Sequence, residues 1–154
     1  MGYFRPVSEF NIGKKSEYAE RIYFKEKKAM DEIEQSKKAR DIDILARTIY
    51  GEARGESYVG QVAVGAVVMN RIKSASFPNT MAGVIYQSYA FTAVNDGQIN
   101  LTPDATAKKA AQDAMNGWDP TYGAIYYYNP AIATSSWIFS RKTTVTIGNH
   151  VFAK

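Results

Sequence analysis

The sequence predicts an α+β fold: a helical lobe followed by a small β lobe, preceded by a charged N-terminal helix. Three observations carry this. Apolar residues recur at helical spacing through roughly the first two-thirds of the chain. After Asp119-Pro120 the texture changes to short aromatic and β-branched runs broken by Gly, Asn and Pro. Helices come first and strands last, which is a segregated pattern and not the alternation of βαβ units. The chain has 154 residues with 45% hydrophobic content, enough for one domain with a sizeable core.

Residues 16–40 are charge-dense and free of glycine, with Tyr18, Ile22, Ala29 and Ile33 near helical spacing. They predict an amphipathic surface helix whose stripe either packs on the domain or meets a protein partner. A second helix is expected from residue 41. Asp41 and Asp43 suit its start, where the dipole favours anions, and Gly55 suits its end. Residues 61–72, QVAVGAVVMNRI, are apolar almost all round and predict a buried helix, with Gly60 and Gly65 permitting close approach. A turn at 76–79 precedes a short helix at 80–87 capped by Asn79 or Thr80. Residues 91–101 read as irregular, with a turn at Asn95-Asp96-Gly97. Thr102 is the expected cap of a helix running to about Asn116, with Pro103 at its first position and Ala107, Ala110, Ala111 and Ala114 on its inner face. Strands are expected at 124–128, 137–139, 143–147 and 150–152, the last two joined by a turn at Gly148-Asn149.

Composition excludes several classes of function. There are no cysteines, hence no disulfide, thiolate metal site or cysteine nucleophile. No apolar run reaches the length of about 18 residues that spans a bilayer. The first fifteen residues show neither a secretory signal nor a myristoylation motif, because Pro6 stands where Ser or Thr is required. The net charge of +4 is concentrated in residues 1–40, which hold ten Lys/Arg against seven Asp/Glu. The remainder lacks the basic, aromatic-interleaved run of a nucleic-acid surface. The HExxH, GxSxG, EF-hand, P-loop and dinucleotide patterns are all absent. No metal or cofactor is expected. His150 is the only histidine and has no obvious co-ligands.

The acids after residue 40 narrow the chemistry. Asp41, Asp43 and Asp104 suit helix starts, Asp119 suits a turn, and Asp113 reads as a solvated helix position. Glu52 instead falls in the last turn of its helix, where partly negative carbonyls disfavour a carboxylate and raise its pKa. A glutamic acid kept protonated is what a general acid requires; an ordinary glutamate neutralised by Arg54 is the alternative. Glu56 follows just past Gly55 and reads as structural, perhaps as a cap for the next helix, and Asp96 as a turn former. The aromatic run Tyr126-Tyr127-Tyr128, with Asn129, Gln98 and Asn70, suits either packing or the binding of sugar rings and hydroxyls. In a strand Tyr126 and Tyr128 share one face and Tyr127 takes the other.

Six ordered stretches then coincide with a known pattern: DIDILARTIYGEARGE (41–56), GQVAVGAVVMNRIKSASFPNT (60–80), AGVIYQSYAFTAVNDGQI (82–99), AAQDAMNGWDP (110–120), AIYYYNP (124–130) and IGNHVF (147–152). Together they cover essentially all of 41–154, and the sequence resembles the catalytic domain of the spore cortex-lytic enzymes, a cell-wall hydrolase family. The resemblance implies a lysozyme-like α+β fold related to lytic transglycosylases, acting on the β-1,4 bond between N-acetylmuramic acid and N-acetylglucosamine in peptidoglycan. It implies that Glu52 is the essential glutamate of the (A/G)EARGE motif. Gly51 departs from the side chain many members carry there. Expected substrate contacts are Asn70, Phe91, Asp96, Gln98, Tyr126, Tyr128, Asn129 and His150. The division expected is an N-terminal extension at 1–40 and a catalytic domain at 41–154, from a phage-released, virion-associated or spore-packaged enzyme.

Overall fold

The computed structural model describes the backbone of residues 7–154 and the surroundings of side chains from residue 16 onward. The expectations about Met1-Gly2 and Pro6 lie outside the described residues. The chain divides into two units between Ala39 and Arg40. In the first, every side chain from Ser16 to Ala39 is exposed, including the stripe of Tyr18, Ile22, Ala29 and Ile33.

Helix α1 runs Val7–Ala53 without interruption. No Gly or Pro occurs between Gly13 and Gly51, so nothing forces a boundary at residue 41. Asp41 and Asp43 are therefore helix-interior residues and not a start signal; Asp43 accepts from Arg47 Nε at 2.9 Å one turn on. Helix α2 (Tyr58–Lys73) starts at Ser57, whose side chain accepts from the Gly60 N–H. Every residue from Gly60 to Val68 is buried, Gln61 included, as the almost wholly apolar composition predicts. Helix α3 spans Met81–Ile85 with Thr80 as cap. The stretch expected to be irregular contains one helical turn, α4 (Thr92–Asn95), and a 3₁₀ turn at Gln98–Asn100. Helix α5 (Ala105–Met115) is capped by Asp104, not Thr102: Asp104 Oδ1 accepts from the Ala107 N–H at 2.8 Å. An aspartate is the stronger cap, and it wins the position.

Strands β1 (Tyr126–Tyr128), β2 (Thr143–Ile147) and β3 (His150–Ala153) form an antiparallel sheet in the order β1-β3-β2. Tyr127 pairs with Phe152 and Ile147 with His150, with Gly148 in the left-handed region at the intervening turn. Residues 137–139 are not a strand but one turn of helix, α6 (Ser136–Phe139). Trp137 and Phe139 are about half exposed, and strand propensity in aromatics operates only on a half-buried pleated surface that pairs.

The core joins Leu45 and Ile49 of α1, Val62, Val64, Val67 and Val68 of α2, the alanine face of α5 and Phe152 of β3. Gly65 makes this possible. A Cβ there would lie 2.9 Å from Ala114 Cβ and 3.0 Å from Ile49 Cδ1, so α1, α2 and α5 meet at a point that admits no side chain.

Candidate active site

Glu52 stands in the last turn of α1. Gly51 beside it has no room for a side chain: a Cβ would lie 2.5 Å from Ala93 Cβ. That contact brings the start of α4 against the acid, and the Ala93 N–H donates to Glu52 Oε1 at 3.0 Å. The departure at Gly51 is thus a close-packing requirement and not merely a looser helix end. Burial raises the Glu52 pKa above the ordinary value; hydrogen bonds from Ala93 and the Tyr127 hydroxyl oppose the rise, and the charge of Asp96 adds to it. Arg54 does not neutralise the acid, since its guanidinium lies over the Tyr50 ring, 5.1 Å from the centroid.

Glu52 lines an open, polar cavity of about 510 Å³ between the α1–α2 turn, α4, the end of β1 and the β2–β3 turn. Six of the nine expected residues line it: Glu52, Asp96, Gln98, Tyr128, Asn129 and His150. Asp96 keeps its turn duty as well, accepting from the Gln98 backbone N–H at 3.0 Å and Nε2 at 2.8 Å.

Asn70, Phe91 and Tyr126 are not among the lining residues. Asn70 Nδ2 donates to Asp119 Oδ2 and to the Ala124 carbonyl, both at 2.9 Å, which ties α2 to the chain entering β1. Asp119 also accepts from the Thr121 and Gly123 N–H groups. Phe91 is 2% exposed and belongs to the core. Tyr126 faces Phe77 and Trp137 on the other side of the strand. Strand alternation separates Tyr126 from Tyr127, and Tyr127 is the one turned to the acid. Its phenol is pushed well above the ordinary value by burial and by Glu52. The signal that could have found it is the same alternation, once one neighbour is recognised as packing residue.

Glu56, expected as a cap for the next helix, does not fill that role, which Ser57 takes. Its carboxylate accepts from the Asn149 N–H at 3.3 Å, and its Oε1 lies 3.9 Å from His150 Nδ1. Gly148 supplies the space, because a Cβ there would collide with Glu56 Oε2. His150 is 8% exposed, with its Nδ1 lacking a hydrogen-bond partner among the described residues. Burial lowers its pKa, partly offset by Glu56. Its ring packs edge-on to Tyr127 at 5.0 Å. Asp113, expected to be solvated, accepts instead from the Tyr58 hydroxyl. Among the described residues no helix is long and apolar enough to cross a membrane.

A helical lobe and a three-stranded sheet that flank an open polar cavity around a partly buried glutamate define a lysozyme-like α+β domain. The chain belongs to the cell wall hydrolase family, whose model matches residues 55–153, beginning just past Glu52. It is 61% identical over 114 residues to a spore cortex-lytic enzyme of Bacillus cereus, covering 74% of this chain and 44% of that protein. It is 55% identical over 114 residues to the spore cortex-lytic enzyme of Bacillus subtilis, covering 74% and 37%. The chain thus spans less than half the length of these relatives. Among solved structures it is similar to the catalytic domain of the Bacillus cereus SleB protein, with a TM-score of 0.71, 61% identity, and coverage of 74% of this chain and 89% of that one. It is also similar to the catalytic domain of the germination-specific lytic transglycosylase SleB from Bacillus anthracis, with a TM-score of 0.72, 61% identity, and coverage of 74% and 93%.

Proposed function

We propose that residues 41–154 form the catalytic unit of a peptidoglycan-degrading enzyme that cleaves the β-1,4 bond from N-acetylmuramic acid to N-acetylglucosamine, with Glu52 as general acid and base. Residues 1–40 are then an extension outside the catalytic unit, available to a protein partner. The observation that carries this is the place of Glu52, a partly buried carboxyl that lines an open polar cavity, with burial shifting it toward its protonated form. The family and the names of the relatives supply the substrate class: spore cortex or cell wall.

Cleavage is a transglycosylation. Glu52 gives its proton to the glycosidic oxygen as the bond to muramoyl C1 breaks. The resulting carboxylate takes the proton of the muramoyl 6-hydroxyl, whose oxygen closes on C1. The products are a 1,6-anhydro end and a free N-acetylglucosamine hydroxyl, and no water is consumed. An internal nucleophile removes the need for a second carboxylate to activate water. The placement of the other two acids favours this route over hydrolysis: Glu56 is engaged by Asn149, and Asp96 by Gln98. Gln98, Asn129 and His150 offer the glycan polar groups around the acid, while the Tyr128 ring, though at the cavity's edge, packs edge-on against Phe139.

The test is mass spectrometry of digests of spore cortex and vegetative wall run in parallel. Anhydromuramoyl ends are expected. Reducing ends would assign hydrolysis with Glu56 or Asp96 as base, and intact glycan in both digests would leave only a wall-binding or virion structural role.

A further inference from the structure

The segment between β1 and β2 carries aromatic side chains that do not serve the core. None of the four residues of α6 is buried, and Trp137 and Phe139 are 52% and 48% exposed. Both rings nevertheless have fixed places against the aromatic residues of β1. Trp137 packs edge-on to Tyr126 with 5.1 Å between centroids, and Phe139 packs edge-on to Tyr128 at 5.2 Å. Arg141 holds the first pair: its guanidinium lies 5.2 Å from the Tyr126 centroid and 5.3 Å from that of Trp137. Its own Nε donates to the Lys154 carbonyl at 3.0 Å. No carboxylate among the described residues pairs with it. Half-exposed rings grouped in this way form a binding surface and not a core.

This surface is continuous with the cavity. Tyr128 lines the cavity at the end of β1, and Ile132, 77% exposed, lines it from the loop that leads to α6. Phe139 stands on Tyr128, and Trp137 stands on Tyr126 two residues back, a step of about 7 Å along the strand. Tyr126, Trp137 and Phe139 are not among the lining residues, so the aromatic surface starts at the rim and continues beyond it. A pyranose ring presents C–H groups on its flat face, which stack on an aromatic ring, and hydroxyl and amide groups at its edge. A ring already held by its neighbours makes that contact with little further loss of side-chain freedom. Arg141 brings guanidinium donors to the same surface. The substrate proposed above is a polymer, and a cavity of about 510 Å³ leaves its remote sugars outside.

We infer that Trp137 and Phe139, with Arg141 fixing the first ring, form a platform for the glycan strand outside the cavity, where sugars remote from the scissile bond stack. The inference rests on the proposed glycan substrate. Contacts with remote sugars make the chain favour long strands over short ones. An α6 with a purely structural role gives these two residues no part in that preference.

The experiment measures binding without turnover, in the full chain carrying Glu52→Gln. The probes are peptide-free strands of alternating N-acetylmuramic acid and N-acetylglucosamine, one long and one a disaccharide. Affinities are read by NMR titration, which reaches weak binding. The parent chain is expected to bind the long strand more tightly. Adding Trp137→Ala or Phe139→Ala is expected to weaken long-strand binding about tenfold and to leave disaccharide binding within about twofold. Unchanged long-strand affinity in a folded Trp137→Ala chain overturns the inference. Equal losses for the two probes also overturn it, because they place the effect inside the cavity. Should Trp137→Ala not fold, Phe139→Ala supplies the same comparison. A second copy of the chain is the other occupant this face could take. Self-association of the parent chain that the variants abolish, with strand binding unchanged, assigns the face to a dimer and overturns the inference. Wild-type chain that binds strands but fails to cleave them refutes the proposed chemistry and leaves the platform standing, whereas a parent chain that binds neither probe refutes both.

Discussion

Replacing Glu52 by Gln separates catalysis from stability, because the two effects have opposite signs. The amide oxygen can still accept the Ala93 N–H now 3.0 Å from Oε1, and the shape of the side chain is preserved. What disappears is the proton. General acid–base assistance contributes about 10²–10⁴ in rate, or about 3–5 kcal/mol of barrier, and the proposed mechanism uses Glu52 in both steps. Turbidity loss of purified peptidoglycan should therefore fall at least about a hundredfold. Stability should move the other way. Below the unfolded-state pKa of about 4.3 the carboxyl is neutral in both states, and the substitution changes little. Above it the unfolded chain ionises freely, while burial holds the folded carboxyl protonated to a higher pH. Native Glu52 thus lowers stability increasingly from that point until the raised pKa is passed, by about 1.4 kcal/mol for each pH unit of elevation. Thermal unfolding at pH 4 and pH 7 reads this directly. Gln should raise the melting temperature at pH 7 and do little at pH 4. Equal turbidity loss in the two proteins, or a Gln variant less stable at pH 7 than the wild type, would refute the reasoning.

Two further perturbations test the surroundings of the acid. Activity on peptidoglycan should fall as pH rises through the elevated Glu52 pKa, since the protonated form starts the reaction; a pH–rate profile still climbing well into alkaline pH contradicts this. Gly51→Ala gains about 1 kcal/mol of helix propensity but must relieve a Cβ contact of 2.5 Å with Ala93, and overpacking costs about 1–3 kcal/mol. The net change in stability should be a loss of at most about 2 kcal/mol, with activity suffering more because Ala93 moves away from Glu52. Ala93→Gly in the same chain should restore activity, and a single Gly51→Ala variant indistinguishable from the wild type in both assays would show that the contact is soft.

Local rules explain which parts of this molecule were legible. Helix α2 announces itself because burial on every side requires an apolar sequence on every side. Strands β2 and β3 do so through β-branched residues around a Gly-Asn turn. Glu52 was visible because a carboxylate in a helix's last turn breaks the dipole rule. The failures have physical causes too. Residues 137–139 carry aromatic residues with strand propensity, but no neighbour pairs with them, and one turn of helix results. The boundary placed at Asp41 relied on helix-start chemistry, although a start requires that the preceding chain stop, and nothing stops it. Asn70, Phe91 and Tyr126 have the right side chains for sugar binding but point to packing partners. That is a matter of which face of α2 or β1 they occupy relative to a cavity made by other segments. Tyr127 and Arg71 were missed for the converse reason, since a partly buried tyrosine and a helix arginine look ordinary until distant segments meet.

The segment from Glu52 to Glu56 governs the site from two sides. Its first residue is the acid, whose protonation is set by burial and by Ala93 of α4. Its last residue reaches across to the Asn149 N–H and lies beside His150, so it holds the β2–β3 turn that lines the opposite wall. Gly55 between them is exposed, and a Cβ added there would meet nothing within 4 Å, so packing does not require a glycine at this point. Gly148 is shaped to the same end: its missing side chain is the space that the Glu56 carboxylate occupies. The short segment that carries Glu52 therefore also holds the opposite wall of the cavity, through the contact of Glu56 with the β2–β3 turn.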